Sequence, residues 1–417
     1  MSNVRLGDIA SLKTGPFGTQ FSAKEYTTVG IPVINVKNIG YGEVIEDELD
    51  YISEQTRDRL SEHILLEGDI VFGRKGSVDR HAYIDEEYAG WLQGSDCIRV
   101  RCSDGINKKY VSHYLKLDHI KKMVNNAAVG STMASMNTDI LKDIEIILPE
   151  LTTQNKIEKI ISLLESKICL NKKINDNLEQ QLKLLYDYWF VQFDFPDEQG
   201  NPYRSFGGKM VWNDLLKREI PATWGVSSFE QLCNFRNGIN YDNSVIGDKI
   251  YRIVNVRNIT SSSFLLNTSE LDEICLPQVQ ADKYCITNHD IIVARSGTPG
   301  ATRLLLNPCD STIFSGFIIC CSPIKERFRL YMTYHLKKLE GTSATKTGGS
   351  ILQNVSQDTL KALMICVPPN EIIEKYNEHA SKALNTMQKI LSQNQKLARL
   401  RDWLLPMLMN GQVTIDD

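Results

Sequence analysis

Two short stretches set a cation, a glycine and a hydroxyl side by side: Arg74-Lys75-Gly76-Ser77 and Arg295-Ser296-Gly297-Thr298. A guanidinium or ammonium can bind phosphate or guanine, a glycine lets backbone approach closely, and a hydroxyl donates to a phosphate oxygen. Donor-rich positions also occur at Lys37-Asn38 and Arg257-Asn258. Two turn-rich segments carry further candidates: Phe17, Thr19 and Gln20 in the first, Asn240 and Tyr241 in the second. Two small-residue runs add Ser131 and Thr132, and Lys346, Thr347 and Ser350. Together these are candidates for contact with phosphates and base edges.

Bond-making chemistry is harder to find. An adenine methyltransferase needs an Asp/Asn-Pro-Pro-aromatic loop, and the nearest match, Asn201-Pro202-Tyr203, lacks the second proline and has no Gly-rich strand-turn-helix before it. The Gly-rich run from Gly341 to Gly349 has no Lys-Ser/Thr after its glycines, so it is not a phosphate-cradling loop. Pro196-Asp197 opens a nuclease-like pattern that no Glu-x-Lys strand completes. The seven histidines are dispersed, and the ten cysteines form no C-x-x-C pair. Neither a metal cluster nor a catalytic triad can be argued from them, and buried thiols in a reducing cytosol are expected. Net charge is −4 over 417 residues, whereas a free-standing DNA binder is usually basic. Any such affinity would come from local loops and from partners. No apolar run approaches the roughly 18 residues of a membrane span, and the N-terminus has no secretory h-region.

The candidate contacts belong to a duplicated frame. IPVINVKNIG (31–40) aligns with YRIVNVRNIT (251–260), and GDIVFGRKGS (68–77) with HDIIVARSGT (289–298). The register holds through YVSHYLK and YMTYHLK to GSTMASMNTDILKDIEIILP (130–149) and GSILQNVSQDTLKALMICVP (349–368). Residues kept in both halves also suit folding. Asp69, Asp290, Asn35 and Asn255 read as turn and packing residues, and Arg74 and Arg295 suit either a phosphate or an internal ion pair. Each half opens with short β-branched runs punctuated by Gly, Asn and Ser.

A long amphipathic helix then follows in each half, introduced by Pro149 in one and by Pro368-Pro369 in the other. Ile157, Ile161, Leu164, Ile168, Asn171, Ile174, Leu178, Leu182, Leu185 and Trp189 step by threes and fours, as do Tyr376, Ala380, Ala383, Met387, Leu391, Asn394, Leu397, Leu400 and Leu404. Such a seam runs for about four to five heptads, and a helix of about 38 residues reaches roughly 57 Å. Asn171 and Asn394 either fix the register of the seam or only border it. The second helix should stop at Asn410-Gly411, with Pro406 kinking its last turn. The expected divisions are 1–149, a helix over 150–190, a linker over 191–211, a second mixed domain over 212–368, and a helix with tail over 369–417.

The whole chain resembles the specificity (S) subunits of Type I restriction-modification systems. The strongest resemblance is the Leu-rich helix end LEQQLKLLYDYWFVQFD (178–194), similar to the family's Trp-Phe-Val-x-Phe-Asp. Ile220-Pro221-Ala222-Thr223-Trp224 looks like the opening of a recognition domain, as do Leu6-Gly7-Asp8-Ile9 and Gly15-Pro16-Phe17-Gly18. The family's Glu-Gln pair at the helix start reads Thr153-Gln154 in half one and has no clear equivalent in half two, where Ile372-Ile373 stand.

The resemblance implies an α+β chain with two α/β-mixed target recognition domains, separated by two long antiparallel coiled-coil-like spacer helices and related by a pseudo-two-fold duplication. It implies a non-catalytic protein of the bacterial or archaeal cytoplasm, associated with the nucleoid, that reads a bipartite asymmetric site in double-stranded DNA. Two modification (M) subunits would methylate adenine N6 on the flipped base, and motor-nuclease (R) subunits would cleave. AdoMet, ATP and Mg2+ would belong to those partners and none to this chain. On the helices, Ile161, Leu164, Leu178, Leu185, Trp189, Met387, Leu391, Leu400 and Trp403 are the candidate partner-binding residues. Two other readings are a coiled-coil scaffold that reads no DNA, and a divergent fused methyltransferase or nuclease. The first predicts no sequence preference even with partners, and the second predicts methylation by the chain alone.

Overall fold

A computed structural model describes residues 2–128, 135–241, 247–340 and 355–415. The chain divides into two compact units, 1–168 with 396–417, and 169–395. The candidate contacts Ser131, Thr132, Lys346, Thr347 and Ser350 lie outside the described residues. Among the described residues no helix is long and apolar enough to cross a membrane.

The first unit is built on two sheets. One runs in the order Ala10–Thr14, Cys97–Cys102, Ile70–Gly73, His81–Tyr83, Tyr41–Gly42. The other runs Tyr26–Thr27, Asp50–Ile52, Ile31–Ile34, Leu92–Gln93. Ile70–Gly73 is buried at every position, which explains its continuous apolar sequence. The helices Lys108–Leu115 and Asp118–Ala127 cover the first sheet, placing Tyr110, Val111, Ile120 and Val124 in one core with Ile70, Phe72, Ile98 and Val100.

Among the described residues the second unit repeats this order without counterparts of the two-residue outer strands Tyr41–Gly42 and Tyr26–Thr27. Cys233–Asn237, Ile318–Pro323, Ile291–Ala294 and Thr302–Leu304 form one sheet, and Asp272–Leu276, Lys249–Val254 and Thr312–Phe314 the other. Each unit also closes its ends with one antiparallel pair: Ser2–Arg5 with Glu145–Leu148, and Gly225–Ser228 with Met364–Val367. The duplication read in the sequence is therefore a duplication of strand order and register.

Two helices dominate the rest, Leu151–Tyr186 and Asn370–Met409, of 36 and 40 residues. Gln154 anchors the first: its amide nitrogen donates to the Pro149 carbonyl at 2.8 Å, and its oxygen accepts from the Asn107 backbone at 3.0 Å. Within the second unit the two helices run antiparallel, since Asn171 meets Asn394 while Asn175 meets the Met387 carbonyl. The Asn171 side chain is buried and donates to Asn394 at 2.7 Å and Gln393 at 3.1 Å, so it lies in the seam and does not merely border it. In the first unit Ile157 and Ile161 share a core with Leu405, Leu408 and Met409. The second helix passes through Pro406 and ends before Gly411, which takes the left-handed conformation that ends many helices (φ +68°).

The first long helix widens into a π-turn over Asp187–Val191. That turn buries Trp189 and Phe190 against Tyr376, Tyr331 and Trp224. Phe193 is fully buried in a left-handed backbone (φ +65°), with the Arg218 guanidinium over its ring at 4.4 Å. Asp194 accepts from the Ser205 amide and hydroxyl, each at 2.7 Å. The Trp-Phe-Val-x-Phe-Asp run is thus a packing device. It also draws the stretch expected as a linker into the core, where Phe195 stacks on Tyr203 and Trp224. The hairpin Met210–Asn213 with Arg218–Pro221 completes that stretch.

Candidate nucleic-acid interface

In both halves the Arg-Gly turn follows the C-terminal end of a buried central strand. Arg74 follows Ile70–Gly73, and its backbone N–H donates to the Asp96 carbonyl at 2.7 Å. Arg295 follows Ile291–Ala294 and donates likewise to the Phe317 carbonyl at 2.8 Å. Gly76 and Gly297 share a left-handed backbone, φ +78° and +75°, which a side chain would strain. Each arginine carbonyl accepts from a returning segment, from Met136 N–H and from Val355 N–H, both at 2.8 Å.

A second loop packs beside each turn. Gly15 N–H donates to the Cys97 carbonyl at 2.9 Å, and Gly238 N–H to Ile318 at 3.2 Å. A Cβ on either glycine would collide with a carbonyl oxygen, that of Gly94 or Ser315, so only glycine fits. This brings Phe17, Arg74, Lys75 and Asp96 together in half one. Arg74 lies 6.0 Å from the centre of the Phe17 ring, which is 59% exposed, and Lys75 pairs with Asp96 at 3.0 Å. In half two the equivalent group is Asn240, Arg295, Ser296 and Phe317, with Phe317 62% exposed. Among the described residues no side-chain partner lies against the Arg295 guanidinium. Ser77, Thr19 and Gln20 are exposed beside the first group. Thr298 is exposed beside the second, 3.3 Å from the Thr260 hydroxyl, while Tyr241 is half-buried against the core around Ile239 and Tyr251. Asp96 and Phe317 escaped the sequence reading; their signal was the Gly94-Ser95-Asp96 and Ser315-Gly316-Phe317 tripeptides before aligned strands.

Other candidates resolve differently. Asn38 and Asn258 are buried, and their amides bond inward: Asn38 to the Ile45 and Asp47 carbonyls at 2.9 and 3.0 Å, Asn258 to Glu270 at 2.9 Å. Both also accept from the backbone N–H of the preceding asparagine, Asn35 or Asn255. They hold a turn, and both side chains are buried away from any base. Lys37 and Arg257 are exposed but paired with Asp50, at 3.2 Å, and with Asp272. Exposed pairs of this kind contribute little stability, so a phosphate can compete for the cation.

Asp69 and Asp290 are buried at the opposite, leading ends of the same strands. Asp69 accepts twice from Arg101, at 2.7 and 2.6 Å, and these bonds raise the guanidinium pKa. Asp290 accepts from Arg236 at 2.9 Å and from Ser322, which stands where Arg101 stands in half one. The aspartate is kept in both halves while its cation has moved to a neighbouring strand.

On the helices, Ile161, Trp189 and Met387 are buried in the chain's own cores and unavailable to another subunit. Sequence periodicity finds an apolar face without saying whose surface covers it. Leu178 and Leu185 pack partly against the second core, and Leu164 and Leu391 are half-buried. Leu400 and Trp403 are exposed, as are Leu163, Leu170 and Leu184, which the periodicity did not single out.

Comparison with known proteins agrees with this duplicated frame. Residues 1–180 and 221–401 each match the family described as Type I restriction modification DNA specificity domain. The Type I restriction enzyme MjaIX specificity subunit of Methanocaldococcus jannaschii is 24% identical over 321 residues, 75% of this chain and 71% of that protein. The HindI specificity subunit of Haemophilus influenzae is 25% identical over 347 residues, 70% and 74% respectively. The crystal structure of a Type I restriction-modification S subunit from M. genitalium covers 98% of this chain and 96% of that one, with a TM-score of 0.57 at 13% identity, a likeness of fold. With both halves of the chain matched, this protein belongs to the Type I restriction-modification DNA specificity subunit family.

Proposed function

We propose that this chain reads a bipartite, asymmetric DNA site, one half-site per recognition domain, and that its long helices set the interval of unread bases. The observation that carries the reading is the repeated Arg-Gly-hydroxyl turn, held at the C-terminal end of the same central strand in both halves and flanked by exposed side chains that differ between them. A retained cation and hydroxyl suit phosphates, which are the same everywhere, and differing neighbours suit bases, which are not. The chain supplies no catalytic group. Two modification subunits docked on the helices flip and methylate adenine N6, and restriction subunits cleave with ATP; AdoMet, ATP and Mg2+ are bound by those partners. Leu400 and Trp403 are the helix candidates left with an exposed apolar surface for such docking.

Hydroxyl-radical footprinting of the complex with its modification subunits tests this. The expected pattern is two blocks of protected backbone, positioned by the sequence and separated by a fixed interval. A single block, or protection independent of sequence, would contradict it.

A further inference from the structure

The duplication is an internal control on the interface. Residues required by the fold, or by phosphate contact, stay the same in both halves, whereas residues that choose bases differ and remain exposed. Backbone hydrogen bonds fix which positions are equivalent. Asp96 and Phe317 are equivalent because each carbonyl accepts from the turn arginine. Phe17 and Asn240 are equivalent because each lies two residues after the glycine bonded to Cys97 or Ile318.

Applied to the turns, this sorts the side chains into two classes. Arg74 and Arg295, Gly76 and Gly297, and the hydroxyls of Ser77 and Thr298 are retained. Three exposed or half-exposed positions differ: Phe17 against Asn240, Lys75 against Ser296, and Asp96 against Phe317. Each group holds one exposed phenylalanine and one polar acceptor, but on opposite flanks of the arginine.

We infer that this exchange of flanks sets base identity: Phe17 with Asp96 selects bases in one half-site, Asn240 with Phe317 selects bases in the other, and the retained arginines anchor the backbone. The inference rests on the DNA-reading proposal above. A phenylalanine ring makes apolar contact with a thymine methyl or wedges between base steps. A carboxylate accepts from the cytosine amino group, and an asparagine pairs with an adenine edge. Asp96, half-neutralised by Lys75, can release that pairing when a base donor arrives.

The deciding experiment is methylation sequencing of DNA from cells that co-express the modification subunit with wild-type chain, Phe17→Ala, Phe317→Ala or Arg295→Ala. Melting temperatures of the purified complexes check folding, and Phe17→Leu and Phe317→Leu serve as milder variants. Each phenylalanine variant is expected to relax or change the preferred base in one half-site only, a different half for each. Arg295→Ala is expected to lower methylation of the unchanged motif by about tenfold, the loss of one charged hydrogen bond. Unchanged motifs in both phenylalanine variants at normal melting temperature, or a changed base preference in Arg295→Ala, would overturn the inference while leaving the DNA-reading proposal standing. Absence of any sequence-specific methylation by wild type would overturn both.

Discussion

Asn35 and Asn38 in one half, and Asn255 and Asn258 in the other, play the same local role, in which the second asparagine is buried and ties the turn to the chain that follows. Buried imidazoles are the other residue-scale feature with a measurable consequence. His81 bonds Ser112 at 3.0 Å, and burial pushes its pKa down to about 3; burial likewise lowers His335, beside Tyr186, to about 4. Above the usual value of 6.5 both are neutral whether folded or unfolded. As pH falls below 6.5 the unfolded chain takes up protons that the folded chain refuses, so stability declines until the folded values are reached. Each histidine should cost about 2 kcal/mol by pH 5. Urea denaturation at pH 7.5 and pH 5 should show that decline, reduced in His81→Asn; equal midpoints would refute it. The sequence exposed Lys37-Asn38 and Arg257-Asn258 as repeated polar pairs. It could not show that one member turns inward and the other outward, because that depends on a turn closed by residues up to twelve positions away.

At the scale of elements, the long helices were legible because a 3.6-residue period sustained over many turns has no other explanation. The π-turn at Asp187–Val191 was not, since one extra residue in a single turn leaves no trace in the period. Two-residue strands such as Tyr26–Thr27 and Leu92–Gln93 are too short to alternate, and they exist only because neighbouring strands present a ladder. The buried Asn171–Asn394 pair gives the helices a polar lock on register. In a double-mutant cycle, Asn171→Leu should destabilise by about 1–2 kcal/mol by removing the amide donations to Asn394 and Gln393. Asn171→Leu/Asn394→Leu should recover part of that loss, with a coupling energy of about 1 kcal/mol. Additive single effects in thermal melts would show that the two amides do not act together.

The whole molecule is a repeat whose halves exchange ends. The first unit takes its sheets from the N-terminal region and completes its core with Leu405, Leu408 and Met409. A graft of residues 1–149 from another family member should therefore fold best when the side chains facing those three residues are kept. It should change one half-site and leave the other untouched. Footprints altered in both halves would contradict modular reading. The duplication itself was legible from the aligned strands. The neighbours that set the two interfaces apart, Asp96 and Phe317, were not, because their importance lies in a backbone contact across the sheet.

The most direct measurement is single-molecule methylation sequencing of DNA from cells carrying the modification subunit with and without this chain. A split motif bearing N6-methyladenine in both halves, present only when both proteins are expressed, is the predicted result. A soluble complex that writes no split motif, or the same motif with the chain omitted, would contradict the claim that this protein reads the sequence.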